Sequence, residues 1–338
     1  MSNSRLRLAT EFLSVYRTRM SRALLYRLGF LLAGNLILLA AIFFYLKEGA
    51  SFSQVLLRAG PDTAPTILSG LGMTGIIFAG SIDLSVGAII VVSGTVFGIL
   101  AHRGISPAVA YAACFLTAWC LSMLNGYLVR LLRIPAIILT LAGLTFYRGL
   151  ALIIPDVGIP NFSGYIAVQS DAYHGPGKFY AGWILLSVLL GALAWEAIAE
   201  TPRRWLALGN SEEACRLQGL RPGSILQSAF FAGGLFLGLA SLIEVTRVQA
   251  IEPARMAAGF ELPVIGAVVL GGTNIFGGEG SYSGTVLGAF FLYLAEQLLI
   301  YAEVSAYSQK VILGATIIAV IGLDCFLQRR RKHLEELR

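Results

Sequence analysis

Long apolar runs alternate with short polar breaks along nearly the whole chain. The runs cover 28–46, roughly 59–80, 84–101, 107–129, 135–154, 181–199, 224–246, 281–301 and 308–327, with a shorter apolar piece at 262–270. A helix needs roughly 20 apolar residues to cross a hydrocarbon core, and most of these runs reach that length. A spanning β-barrel would show short alternating segments instead, so helices are expected. The pattern predicts an all-α polytopic membrane protein with about ten transmembrane segments, some of them short or broken. Pro61 and Pro65 are expected to open the second segment, where a missing N–H costs least.

Composition supports the same solvent. Of the 338 residues, 57% are hydrophobic and only 13% are charged. An average soluble domain carries about 25% charged residues, and a soluble core could not hide this much apolar surface. The formal net charge of +6 is compatible with nucleic acid binding, but the positions of the charges argue against it. Arg5, Arg7, Arg17, Arg19, Arg22 and Arg27 precede the first run, and Arg329, Arg330, Arg331 and Lys332 follow the last. This positive-inside pattern places both termini in the cytoplasm, which requires an even number of spans and counts 262–270 as one of them. The chain divides into a cytoplasmic segment (1–27), a transmembrane domain (28–327) and a basic cytoplasmic tail (328–338). The first run lacks a small-residue cleavage site after it and reads as a retained helix.

The segment 155–180 is poor in Lys and Arg and reads as an external loop, as does VQAIEPARMAAG; the charged stretch 200–223 reads as cytoplasmic. No loop is large enough for a soluble domain, so any energy-converting domain belongs to another chain. Cys114, Cys120, Cys215 and Cys325 lack metal-type spacing, and His102, His174 and His333 are scattered, which leaves metal or histidine catalysis little to build on.

Between Ala64 and Ala101 the chain carries one charged side chain, Asp83, in the stretch GSIDLSVG. Burying a carboxylate at membrane depth costs about 2.5–3.5 kcal/mol on insertion scales. Gly80 and Ser81 break one helix, and Asp83 is expected at the N-cap of the next, where free N–H groups and the helix dipole offset its charge. A broken helix at this depth survives only inside protein or along a water-filled cavity, so Gly80, Asp83 and Ser85 are candidates for a structural break, for the wall of a translocation path, or for both. A second break, GGTNIFGGEGSYSG, lacks the lysine of a phosphate-binding loop, and no Lys or Arg lies between Arg255 and Lys310. Gly272, Thr273 and Asn274 are therefore expected in an irregular turn that caps backbone groups or faces a cavity. SGTVFG (93–98) and SGTVLG (283–288) point either to two related halves or to convergent packing, since both contain the GxxxG spacing that lets helices approach closely, as does Gly234/Gly238. Near the outer ends, Glu244 and Arg247 have i, i+3 spacing for an ion pair; Arg148 with Asp156, and Glu252, Arg255 and Glu261, are further external candidates.

GNSEEACRLQGL has the marks of a short solvated helix. Asn210 or Ser211 can cap it, Glu212 and Glu213 lie in its first turn, Arg216 follows and Gly219 closes it. This segment resembles the coupling segment of ABC-type sugar importer permeases of the ribose-type branch. GSIDLSVG and FELPVIGAVVLGGTNIFGGEGSYSGTVLGA resemble two further signatures of that family, and the resemblance spans about Gly70 to Asp324. Ser81 stands where a glycine is usual, and Cys215 interrupts the usual small-residue run.

The resemblance implies a membrane subunit of a bacterial inner-membrane importer that is not itself an enzyme. A cytoplasmic ABC ATPase, which binds the ATP and Mg, would dock on Gly209, Asn210, Glu212, Glu213, Ala214, Arg216 and Gly219, within about 204–219. A second permease copy or paralogue would complete the pathway, and a periplasmic binding protein would deliver a monosaccharide. The chain itself would carry no cofactor or metal. The alternatives are the same fold importing autoinducer-2, a nucleoside or a branched-chain amino acid, or an ion-coupled secondary transporter, which should show acids or a sodium site at its midplane breaks.

Overall fold

The computed structural model describes residues 26–45, 52–160, 162–168, 199–248, 250–305 and 307–316, with isolated positions 189, 318, 319 and 322. The span expected over 181–199, most of the loop 155–180 and both terminal segments (1–25, 328–338) lie outside the described residues. The described elements in chain order are α1 (Tyr26–Tyr45), α2 (Phe52–Phe78), α3 (Val86–His102), α4 (Pro107–Leu132), α5 (Ala136–Gly158), β1 (Ile166–Ala167), α6 (Glu200–Asn210), α7 (Glu212–Leu217), α8 (Pro222–Arg247), β2 (Ala250–Ile251), α9 (Glu261–Leu270), α10 (Tyr282–Tyr301) and the helical residues 307–316, α11. Among them α1, α4, α5, α8 and α10 are long and apolar enough to cross a membrane, while α3 and α9 are shorter apolar helices.

Helices α2, α3 and α8 form the centre. α3 is apolar all round and buried along almost its whole length, as expected for a helix with no polar face to turn outward. α2 lies antiparallel to α8, and their backbones meet at Gly72, where an added Cβ would stand 2.8 Å from the Gly233 carbonyl oxygen. α4 packs on the other side of α8, also antiparallel: Gly234 lies against Trp119 and Ser122, Gly238 against Phe115, and Gly126 against Phe230. Trp119 Nε1 and Ser122 Oγ donate to the Phe231 and Phe230 carbonyls at 3.2 and 3.1 Å. Interhelical hydrogen bonds of this kind contribute about 0.6 kcal/mol each on average in lipid. α1, α4 and α5 keep broad apolar faces on the outside, among them Phe30, Phe44, Leu131, Phe146 and Ile153.

The three GxxxG pairs all make close contacts, with different partners. Gly94 lies against Met256 and Gly98 against Ile251 and Ile166 of the small β1–β2 sheet, whereas Gly284 and Gly288 receive the backbone of α9 at Gly271 and Ala267. SGTVFG and SGTVLG therefore play different packing roles.

The second segment differs from expectation. α2 starts at Phe52, so Pro61 and Pro65 lie inside it rather than at its opening. The two prolines withhold the N–H donors of the Leu57 and Pro61 carbonyls, one turn back, and side chains brace the same stretch: Arg247 Nη1 donates to the Asp62 carbonyl at 3.3 Å, and Thr63 Oγ1 donates to the Ala59 carbonyl at 2.5 Å.

Candidate functional site

The two glycine-rich breaks and the short charged helix, far apart in sequence, meet at one end of the bundle. Gly80 has φ +73°, and an added Cβ there would lie 3.5 Å from Gly209 Cα and 3.5 Å from the Phe276 carbonyl oxygen. At Gly277, with φ +92°, it would lie 2.7 Å from Gly80 Cα. At Gly209 it would overlap the Phe78 carbonyl oxygen and stand 2.5 Å from Gly278 N. The Gly278 N–H donates to the Phe78 carbonyl at 3.2 Å, which joins the second break to the end of α2. Asn210 Nδ2 donates to the Gly278 carbonyl at 3.0 Å and to the Leu206 carbonyl at 2.9 Å. The hinge between α6 and α7 is thus bonded to one break and in van der Waals contact with the other.

α6 is fixed from below by Trp205, 1% exposed, whose Nε1 donates to Ser228 Oγ of α8 at 2.8 Å and whose ring lies against Gly75 of α2. α7 projects away. Ser211 Oγ accepts from Ala214 N at 3.1 Å, so Ser211 is the cap and Asn210 is free for its tertiary bond. Glu212, Glu213, Ala214, Arg216 and Gly219 are exposed, Leu217 is 84% exposed, and only Cys215 (2%) points inward. Burial pushes the Cys215 thiol up from its ordinary range, with a smaller contribution from Glu212. The Arg216–Glu212 pair at 2.5 Å is exposed on both sides and contributes about 0.3–0.5 kcal/mol. Cys215 is thus the side chain that seats α7 on the bundle, and Leu217 stands as an exposed apolar side chain among charges.

In the second break, Gly272 (φ +87°) offers its carbonyl to Arg27 Nη1 at 2.8 Å, which ties α1 to the same end. Asn274 Oδ1 accepts from Phe276 N at 3.1 Å and its backbone N–H donates to the Glu279 carbonyl at 3.0 Å, so Asn274 shapes the turn. Thr273 is fully buried, and its Oγ1 has no hydrogen-bond partner among the described residues.

Asp83 lies deeper. α3 begins at Val86 with Ser85 as its N-cap residue, so Asp83 is not the cap expected from sequence. Its Oδ1 accepts from Ser85 N at 2.8 Å and Ser85 Oγ at 2.6 Å, an aspartate turn that closes the break before the helix starts. Asn125 Nδ2 of α4 donates to Ser85 Oγ at 2.8 Å, and Tyr147 OH of α5 donates to Asn125 Oδ1 at 2.8 Å. Thr140 Oγ1 accepts from Leu84 N and donates to the Ile82 carbonyl, both at 3.1 Å. Asp83 is 0% exposed, and its Oδ2 has no partner among the described residues. Asp83 and Ser85 therefore anchor a polar chain linking the first break to α4 and α5, and neither faces an open space.

The charges assigned to external positions separate. Arg148 sits midway along α5, about 18 Å from its start at 1.5 Å per residue. It donates to the Met256 carbonyl at 2.8 Å and to the Ala257 carbonyl, and Glu261 Oε2 is buried beside Gly87. The connection around 256–261 thus enters the bundle and packs on α3 instead of remaining outside, and Arg148 does not pair with Asp156. Glu252 and Arg255 form an exposed pair at 3.7 Å. Arg247 pairs with Glu244 at 3.6 Å, as its spacing predicts, and more closely with Asp62 at 3.0 Å. Asp62, Asn125, Tyr147 and Trp205 were not singled out by sequence: each acts through tertiary contacts at long separation, with only the polar residue in an apolar run as a signal.

The family model described as branched-chain amino acid transport system / permease component matches residues 58–321. The autoinducer 2 import system permease protein LsrC of Photorhabdus laumondii is 33% identical over 264 residues, covering 76% of this chain and 77% of that protein. The protein of the same name from Escherichia coli K12 is 33% identical over 271 residues, covering 78% of each. The ribose import permease protein RbsC of Haemophilus influenzae is 28% identical over 278 residues, covering 80% of this chain and 84% of that protein. No solved structure matches the chain.

Proposed function

The chain belongs to the family of branched-chain amino acid transport system permease components, and from that premise we propose that it is the membrane-spanning subunit of an ATP-binding-cassette importer for a small polyhydroxylated solute. It is a multi-pass membrane protein. The observation that carries the proposal is the stacking of Gly209 and Asn210 on both helix breaks, with the exposed face of α7 left over. A partner that moves α7 moves Gly209 and Asn210 with it, and therefore displaces Phe78, Gly80 and Gly278, the residues that end or interrupt the bundle helices. That partner is a cytoplasmic ATPase that would bind ATP with Mg, hydrolyse the ATP, and dock on Glu212, Glu213, Ala214, Arg216 and the nearby Leu217. Nucleotide binding shifts the population between two packings of the breaks, a rigid-element switch of familiar kind.

In this reading the α7 end is cytoplasmic, both termini lie on that side, about ten segments cross the bacterial inner membrane, and a second permease chain and a periplasmic receptor complete the importer. Thr273, Asn274, Gly272 and the Asp83 network hold the breaks in shape while they move, rather than binding solute. Within the solute class, the relatives named for autoinducer 2 reach 33% identity against 28% for the one named for ribose, which favours autoinducer 2 as a second reading beside a pentose. The test is mild solubilisation of the native complex and identification of its members by mass, followed by uptake in vesicles. Recovery of an ABC ATPase and a receptor, with ATP-dependent uptake of ribose or autoinducer 2, is expected. Ion-driven uptake by the chain alone would overturn the reading.

A further inference from the structure

A pocket of about 80 Å³ lies between α2, α9, α10 and α11, far from the α7 end. Its lining is polar at Asp62 and Thr66 of α2 and at Tyr293 and Glu296 of α10, and apolar at Leu292 and Leu313 among others. We propose that this pocket is a solute-contact site of the permease, selective for small, uncharged, polyhydroxylated molecules.

The wall chemistry gives the class. Carboxylates and hydroxyls are suited to accept and exchange hydrogen bonds with vicinal hydroxyl groups, while an apolar wall suits the C–H face of a sugar ring. Asp62 is held in orientation by Arg247, 3.0 Å from its Oδ1, which leaves its other oxygen for a ligand and spends the guanidinium charge. None of the described lining residues is basic; the guanidinium charges of Arg247, paired with Asp62, and of Arg58 act on Tyr293 from beyond the lining, and a phosphate or carboxylate on the solute would still meet the carboxylates of Asp62 and Glu296. Glu244, the other acid facing Arg247, adds to that repulsion. The volume is smaller than the roughly 150 Å³ of a cavity that encloses benzene, so the pocket seats one edge of a small ring and does not engulf it. A shallow, low-affinity seat suits a subunit that must release what a receptor delivers. The inference rests on the importer reading for its physiological meaning, but the pocket can be tested on the chain alone.

Thr66→Cys and Leu313→Cys each place a thiol in the lining of the pocket in the full-length chain. Modification by a small maleimide, read at each introduced position by peptide mass, is followed with ribose, xylose, erythritol or ribose 5-phosphate present. A neutral polyol that occupies the pocket slows labelling by the factor 1 + [L]/Kd, roughly tenfold at ten times its Kd. Protection of either position by at least one of the three neutral compounds, and not by ribose 5-phosphate, is the expected result. No protection by any of them, or equal protection by the phosphate, overturns the assignment. ATP-dependent uptake by the whole complex reports the importer reading separately: uptake without protection rejects the pocket, and protection without uptake rejects the importer.

Discussion

Gly209→Ala probes the junction on which the coupling proposal depends. The added methyl would overlap the Phe78 carbonyl oxygen and stand 2.5 Å from Gly278 N, inside the 3.0 Å that real Cβ atoms respect. Both obstacles are backbone atoms, and they are bonded to each other at 3.2 Å, so neither can swing aside like a side chain. Overpacking of this kind costs about 1–3 kcal/mol, and loss of the hydrogen bond adds about 0.5–1.5 kcal/mol. Replacing glycine by alanine within α6 returns up to about 1 kcal/mol of helix propensity. The balance is a destabilisation of about 2 kcal/mol. Gly149→Ala in α5 is the matched control, because nothing lies within 4 Å of its added Cβ, and it should be neutral or stabilising. Thermal unfolding of both purified variants in the same detergent measures the difference. Uptake per ATP hydrolysed in the reconstituted complex should also fall for Gly209→Ala, since α6 and α7 are displaced from both breaks. Equal melting temperatures and equal coupling ratios in the two variants would refute the reasoning.

Three further outcomes follow from the geometry. Asn125→Ala removes the middle of the Asp83–Ser85–Asn125–Tyr147 chain and strands Tyr147 OH; a loss of about 1–3 kcal/mol is expected, and adding Tyr147→Phe should cost less than the two single changes summed, as read from a double-mutant cycle of thermal stabilities. The Cys215 thiol is buried and titrates above its ordinary range, so less thiolate is present at a given pH; maleimide labelling of the folded chain should be slow near pH 7 and keep rising with pH beyond the point where a free thiol levels off, and an ordinary titration midpoint would contradict its placement. Glu213→Arg reverses one exposed charge on α7 without touching the bundle; co-purification of the ATPase should drop while membrane insertion and melting temperature stay unchanged, and undiminished co-purification would count against α7 as the dock.

The helices were legible because the bilayer imposes a length and an apolar composition on each of them, and the runs at 107–129, 135–154, 224–246 and 281–301 emerge as α4, α5, α8 and α10 with ends shifted by a few residues. The start of α2 was not legible: two prolines near a run's edge signal a helix opening, whereas the contact that braces this stretch of α2, Arg247 on Asp62, spans 185 positions. The charged segment was recognisable from its caps, since Ser211, Glu212 and Gly219 act locally. Its stacking on Gly80 and Gly277 was not, because a glycine chosen for close approach looks in sequence like one chosen for a turn. Asp83 stood out as a lone charge, but its partners Asn125 and Tyr147 are ordinary polar residues until the fold brings α4 and α5 against the break. Arg148 looked external because it lies far from the start of its run, yet the connection through Met256 and Ala257 descends to meet it.

The central claim is that the partner which binds ATP engages α7 and transmits its motion through Gly209 and Asn210. A photo-crosslinking residue in place of Leu217, the large apolar side chain that stands 84% exposed beside the acidic turn, tests it directly in the native complex. The account predicts a single dominant cross-link from this position to the ABC ATPase, with a yield that changes when ATP is added. Cross-links to lipid or to the periplasmic receptor, or none to an ATPase that is present in the complex, would contradict it.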